Sequence, residues 1–118
     1  MASELPVAQL KAQLFKALAH PVRIRALEQL VEGERSVGEL AESIDTEISH
    51  LSQQLAVLRR AGVVQTRREG NTIFYSVRDV RMAALLATAR AMLVSNLQES
   101  TALLARLEEV NEPRAVTQ

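Results

Sequence analysis

The chain has 118 residues, with 14 Lys+Arg against 14 Asp+Glu and neither cysteine nor tryptophan. That length fits one domain with a core of its own, and zero cysteine excludes a disulfide framework, a thiolate metal site and thiol redox chemistry. The longest unbroken apolar run, Met82 to Ala87, is far short of the ~20 residues a membrane span needs, and Met1 to Ala12 lacks a leader's basic-then-apolar pattern, so a cytoplasmic protein without a membrane partner is expected.

Leu10, Leu14 and Leu18 recur at helical spacing, which predicts a first amphipathic helix over about 5–18. Pro21 then suits the first turn of a second helix, where its missing N–H has no partner to lose. Ile24, Leu27, Leu30 and Val31 mark its core face, and Gly33 ends it. Ser36 with Glu39 three residues on reads as a capping box for a short third helix that buries Val37, Leu40, Ala41 and Ile44. Asp45-Thr46 offers a turn and a cap. Ile48, Leu51, Leu55 and Leu58 then define a fourth helix that stops at Ala61-Gly62. Two short helices on a tight polar turn, over about 36–62, are a helix-turn-helix.

The hydrophobic period next switches from 3.6 to 2. Val63–Arg68 and Thr72–Val77 read as strands joined by Glu69-Gly70-Asn71, a hairpin wing over about 63–77. Asp79 starts a last helix running towards Val110, about 48 Å at the helical rise. Its Met82, Leu85, Leu86, Ala89, Leu93 and Leu97 exceed what a small domain can shield. With Leu10 and Leu14 of the first helix they are the expected dimer interface. Pro113–Gln118 reads as a frayed tail. The expected fold is mostly α with a small β-hairpin: one winged-helix domain over 1–118 that pairs through its first and last helices.

The zero net charge conceals an uneven layout. Residues 59–90 hold seven arginines against Glu69 and Asp79, while the segments on either side are net acidic. Arginine is the cation suited to forked contacts with phosphate. On a helical wheel, Ile48, Leu51, Leu55 and Leu58 share the core side of the fourth helix. Ser49, His50, Gln53, Val57 and Arg60 lie opposite, flanked by Ser52, Gln54 and Ala56. Short polar side chains can approach base edges, which makes Ser49, His50, Ser52, Gln53 and Gln54 the expected DNA contacts on this helix. Arg60 on the helix, and Arg67 and Arg68 on the wing, would neutralise phosphates and fix register. His20 at the helix junction reads as a packing or helix-start residue. His50 is a contact candidate, and neither histidine has neighbours at metal-ligand spacing.

Three stretches carry a family resemblance: Ala17-Leu18-Ala19-His20-Pro21-Val22-Arg23, Ser36-Val37-Gly38-Glu39-Leu40-Ala41, and Leu51 to Val64 with its Ser52-Gln53-Gln54-Leu55 and Ala61-Gly62 signatures. Together with Arg67 to Asn71 and Phe74-Tyr75, they resemble the ArsR/SmtB family over about residues 10–90. The resemblance implies a winged-helix homodimeric repressor on an inverted-repeat DNA operator. It places recognition contacts at Ser49, His50, Ser52 and Gln53, and wing contacts at Arg68 and Asn71. It also implies that this is a member without the family's metal sites. Ser36 and Gly38 stand where the thiolate site begins, and Arg81, Met92 and Ser95 replace three of four ligands at the other site, leaving Asp79 alone.

The expected function is therefore sequence-specific, metal-independent transcriptional repression with no cofactor. An unknown small-molecule effector could sit between the first and last helices. The alternative is an interaction module that keeps the fold and has lost DNA. An enzyme is not expected, because no phosphate loop, activated nucleophile or metal cluster appears in the sequence.

Overall fold

A computed structural model describes residues 6–111. The order is α1 (Val7–Leu18), α2 (Pro21–Leu30), β1 (Arg35–Ser36), α3 (Val37–Ile44), α4 (Ile48–Arg60), β2 (Val64–Glu69), β3 (Thr72–Val77) and α5 (Met82–Asn111). The tail at Pro113–Gln118 and the expected start of the first helix near residue 5 lie outside the described residues. The chain divides into two compact units, Met1–Ala83 and Ala84–Gln118.

The first unit is built around leucines that the helical periods bring together. Leu27, Leu40, Leu51, Leu55 and Leu58 are fully buried, and Ala26, Leu30, Ile44 and Val64 join them. Each such leucine contributes about 1.5–3 kcal/mol by leaving water. Local chemistry sets the helix ends. His20 accepts the Val22 N–H on its side chain and Pro21 takes the first turn of α2. At α3, Ser36 and Glu39 exchange the two hydrogen bonds of a full capping box, as the sequence predicts.

Both helices of the helix-turn-helix end in the same way. After α3, Thr46 N–H reaches the Ala41 carbonyl at 3.0 Å and Asp45 takes a left-handed φ of 53°. After α4, Val63 N–H reaches the Leu58 carbonyl at 2.9 Å, Gly62 N–H reaches that of Arg59 at 3.0 Å, and Gly62 sits at φ 77°. These are Schellman ends, with glycine in the second and an aspartate tolerated in the first. Arg25 donates to the Ile44 carbonyl from α2, bracing the turn from outside.

Four expectations need correcting. Gly33 does not end α2: the helix stops at Leu30 and Gly33 lies in the loop beyond, at φ 154°. Thr46 does not cap α4, which is preceded by Glu47 and has no side-chain cap bond. Ile48 is 54% exposed rather than core, because the turn delivers α4 with its first residue still outside the packed layer. Met82, expected at a dimer interface, is 7% exposed and belongs to the core of the first unit.

The hairpin pairs Val64 with Val77 through to Glu69 with Thr72, and Gly70 takes φ 64° in its two-residue turn. The sheet has a third strand that the sequence pattern does not announce. The two residues of β1 add to β3 antiparallel, Arg35 opposite Tyr75 and Ser36 opposite Phe74, giving the order β1-β3-β2.

In the second unit, α5 exposes Met92, Leu93, Leu97, Leu103, Leu104 and Leu107. Asp79 precedes the helix and accepts the Arg81 N–H at 2.9 Å.

Candidate nucleic-acid interface

The polar face of α4 is built by default. Burying Leu51, Leu55 and Leu58 orients the helix, and the residues between them must then face outward. Ser49 and Gln53 are exposed, while His50, Ser52 and Gln54 are partly covered. Arg59 and Arg60 close the helix, both exposed, at the end where the helix dipole favours cations. The face is thus uncharged for three turns and cationic at its finish. That suits base-edge contacts followed by phosphate contacts.

Two of the candidate side chains on α4 already have partners within the fold. Gln54 Oε1 accepts from Arg23 Nε at 2.8 Å. His50 stacks loosely on His20, ring centroids 6.0 Å apart and tilted by 55°.

The wing divides its two arginines. Arg67 makes a forked pair with Glu34, 2.8 Å at each of two donors, and its guanidinium lies 4.7 Å from the Phe74 ring centre. These hydrogen bonds hold the Glu34 carboxyl below the usual carboxylate range. Glu69 adds a third contact at 3.6 Å. Arg67 therefore ties the hairpin to the loop before β1. Arg68 is exposed and, among the described residues, has no ion-pair partner. Asn71 is exposed at the tip beside Gly70.

Arg23 and Glu34 are the residues that pattern reading missed. Each acts on a partner more than thirty positions away, and no local spacing marks such a pair. Among the described residues no group of three or more His, Cys, Asp or Glu is placed to hold a metal ion. No described helix is long and apolar enough to cross a membrane.

The expected interface residues Leu10, Leu14, Ala89, Leu93 and Leu97 are exposed, and Leu85 and Leu86 are half-buried. Val7 and Phe15 extend the exposed apolar surface of α1.

Residues 20–66, which contain the helix-turn-helix, match the family model described as bacterial regulatory protein, arsR family. The chain is 56% identical over 100 residues to an uncharacterized HTH-type transcriptional regulator of Mycobacterium tuberculosis, Rv0081, covering 84% of this chain and 88% of that one. The crystal structure of Rv0081 superposes with a TM-score of 0.74 at 54% identity, over 83% of this chain and 99% of that one. The biofilm growth-associated repressor of Xylella fastidiosa is 49% identical over 64% of this chain and 66% of its own. A homodimeric winged helix-turn-helix DNA-binding domain from Mycobacterium bovis, Mb0332, is 28% identical with a TM-score of 0.71, covering 84% of this chain and 95% of that one.

Proposed function

The chain belongs to the arsR family of bacterial regulatory proteins and is a winged helix-turn-helix transcriptional regulator, and on that premise we propose that it works as a homodimeric repressor on an inverted-repeat operator. The observation that carries this reading is the exposed face of α4. It offers Ser49, Gln53 and the partly covered Ser52 to base edges, then Arg59 and Arg60 to phosphate, on a helix whose other side is locked into a leucine core.

In this reading α4 lies in the major groove and the wing follows the backbone, with Arg68 as its phosphate contact and Asn71 at its tip. Arg67 holds the wing in place. The homodimeric Mb0332 domain supports a dimer, and the exposed apolar surfaces of α1 and α5 are the faces that would form it. The Xylella repressor supports repression as the outcome. Regulation does not pass through a metal at the family's usual positions, because Ser36, Gly38, Arg81, Met92 and Ser95 supply no ligand set there. The protein acts in the cytoplasm, where its DNA is.

A gel shift on the DNA upstream of the chain's own coding region tests the reading. A complex that survives excess random duplex at moderate salt is expected. A complex that random duplex competes away equally well would instead favour a fold kept for protein contacts.

A further inference from the structure

Two side chains from the α1–α2 junction touch α4, and their targets are one helical turn apart. Arg23 is the first. Its Nε donates to Gln54 Oε1 at 2.8 Å, while Nη1 donates to the Ala17 carbonyl at 3.1 Å and to the Lys16 carbonyl at 3.5 Å. Those carbonyls belong to the last turn of α1, where the Lys16 carbonyl also accepts the Ala19 N–H at 3.1 Å and the dipole attracts a cation. One planar guanidinium thus serves the end of α1 and the middle of α4 together.

His20 is the second. Its Nδ1 accepts the Val22 N–H at 3.1 Å, which anchors the imidazole at the start of α2. Its ring meets that of His50, with centroids 6.0 Å apart. His50 and Gln54 are four residues apart and share a side of α4.

We propose that His20 and Arg23 form a positioning clamp that sets the pitch of α4 against α1, and that Gln54 receives the clamp rather than reading a base. The inference rests on the DNA-binding reading above. If Gln54 turned towards a base edge, it would leave the part-buried Nε of Arg23 unpaired, and an unmade hydrogen bond at a charged donor is costly. Held by Arg23, Gln54 keeps the exposed Ser49 and Gln53 in one register.

The test is a double-mutant cycle on operator affinity with Arg23→Ala, Gln54→Ala and the pair, each also measured on random duplex of equal length. Either single change is expected to weaken operator binding about tenfold, the size of one charge-assisted hydrogen bond. The double variant should be no weaker than either single one, and random-duplex affinity should stay within about twofold. Losses that add overturn the clamp. So does a Gln54→Ala variant that reorders preference among operator variants while Arg23→Ala does not.

Arg23→Lys keeps a cation at the end of α1 and so preserves folding. It should still lose operator affinity, because one ammonium cannot reproduce the fork between two acceptors. A lysine variant that binds like the wild type overturns the clamp. A wild-type chain with no selective duplex overturns the DNA-binding reading, and this inference falls with it. Selective wild-type binding with additive losses overturns the clamp alone.

Discussion

Arg67 and Arg68 are adjacent in β2, yet strand alternation sends them to different surroundings. Arg67 is engaged by Glu34 and Phe74, and Arg68 is free among the described residues. Arg68→Ala should weaken binding to all duplexes alike and reduce the salt slope of log Kd by about one unit for each phosphate left without its arginine. Arg67→Ala should leave that slope unchanged and lower the melting temperature by loosening the wing. Equal slopes for the two variants would contradict the division. A second residue-scale effect is acid-linked. The Arg81 side chain and N–H hold the Asp79 carboxyl at about 2, against an ordinary value of 3.8. A depressed carboxyl adds stability above its unfolded pKa and loses it as pH falls through the folded one. The melting temperature of wild type should therefore exceed that of Asp79→Asn by a constant margin above about pH 5, and the margin should close between about pH 4 and pH 2. A margin that persists at the acid end would show that the carboxylate charge is not its source.

At the scale of elements, the helix-turn-helix depends on how α3 and α4 begin and end. Ser36→Ala removes one half of the capping box and should cost about 1 kcal/mol in denaturant unfolding. Gly62→Ala forces an L residue into φ 77° and should cost about 1–2 kcal/mol. These features were legible because their signals are local: Ser36 with Glu39, Gly62 after the last buried leucine, Gly70-Asn71 between alternating strands. What escaped the sequence depends on distant neighbours. The two-residue β1 exists because Arg35 and Ser36 find an open edge on β3. Ile48 has the right period for the core, but its place at the first turn leaves it outside the layer. Arg67 and Gln54 have the pattern of free polar side chains, yet Glu34 and Arg23, far away in sequence, hold them. The direction of the α4 face was readable from its leucines. Which of its side chains remain available for DNA was not.

For the whole molecule, the balance of 14 basic and 14 acidic residues is an average over an uneven layout. The cations at the end of α4 and on the wing fall in one stretch, residues 59–90, between segments that are net acidic in sequence. The exposed leucines of α5 imply that the working form is larger than one chain. Leu93→Glu combined with Leu97→Glu should give a monomer by sedimentation equilibrium, and operator affinity should fall at least about 100-fold because a monomer engages only one half-site. A variant that stays dimeric would move the interface elsewhere. The central claim, a two-fold reader that inserts α4 into DNA, is met most directly by hydroxyl-radical footprinting of the upstream fragment with saturating protein. A dimer of this kind should leave two protected patches related by a dyad, with centres about 34 Å apart or a multiple of that, each over one half of an inverted repeat. A single unsymmetrical patch, or uniform protection along the fragment, would contradict it.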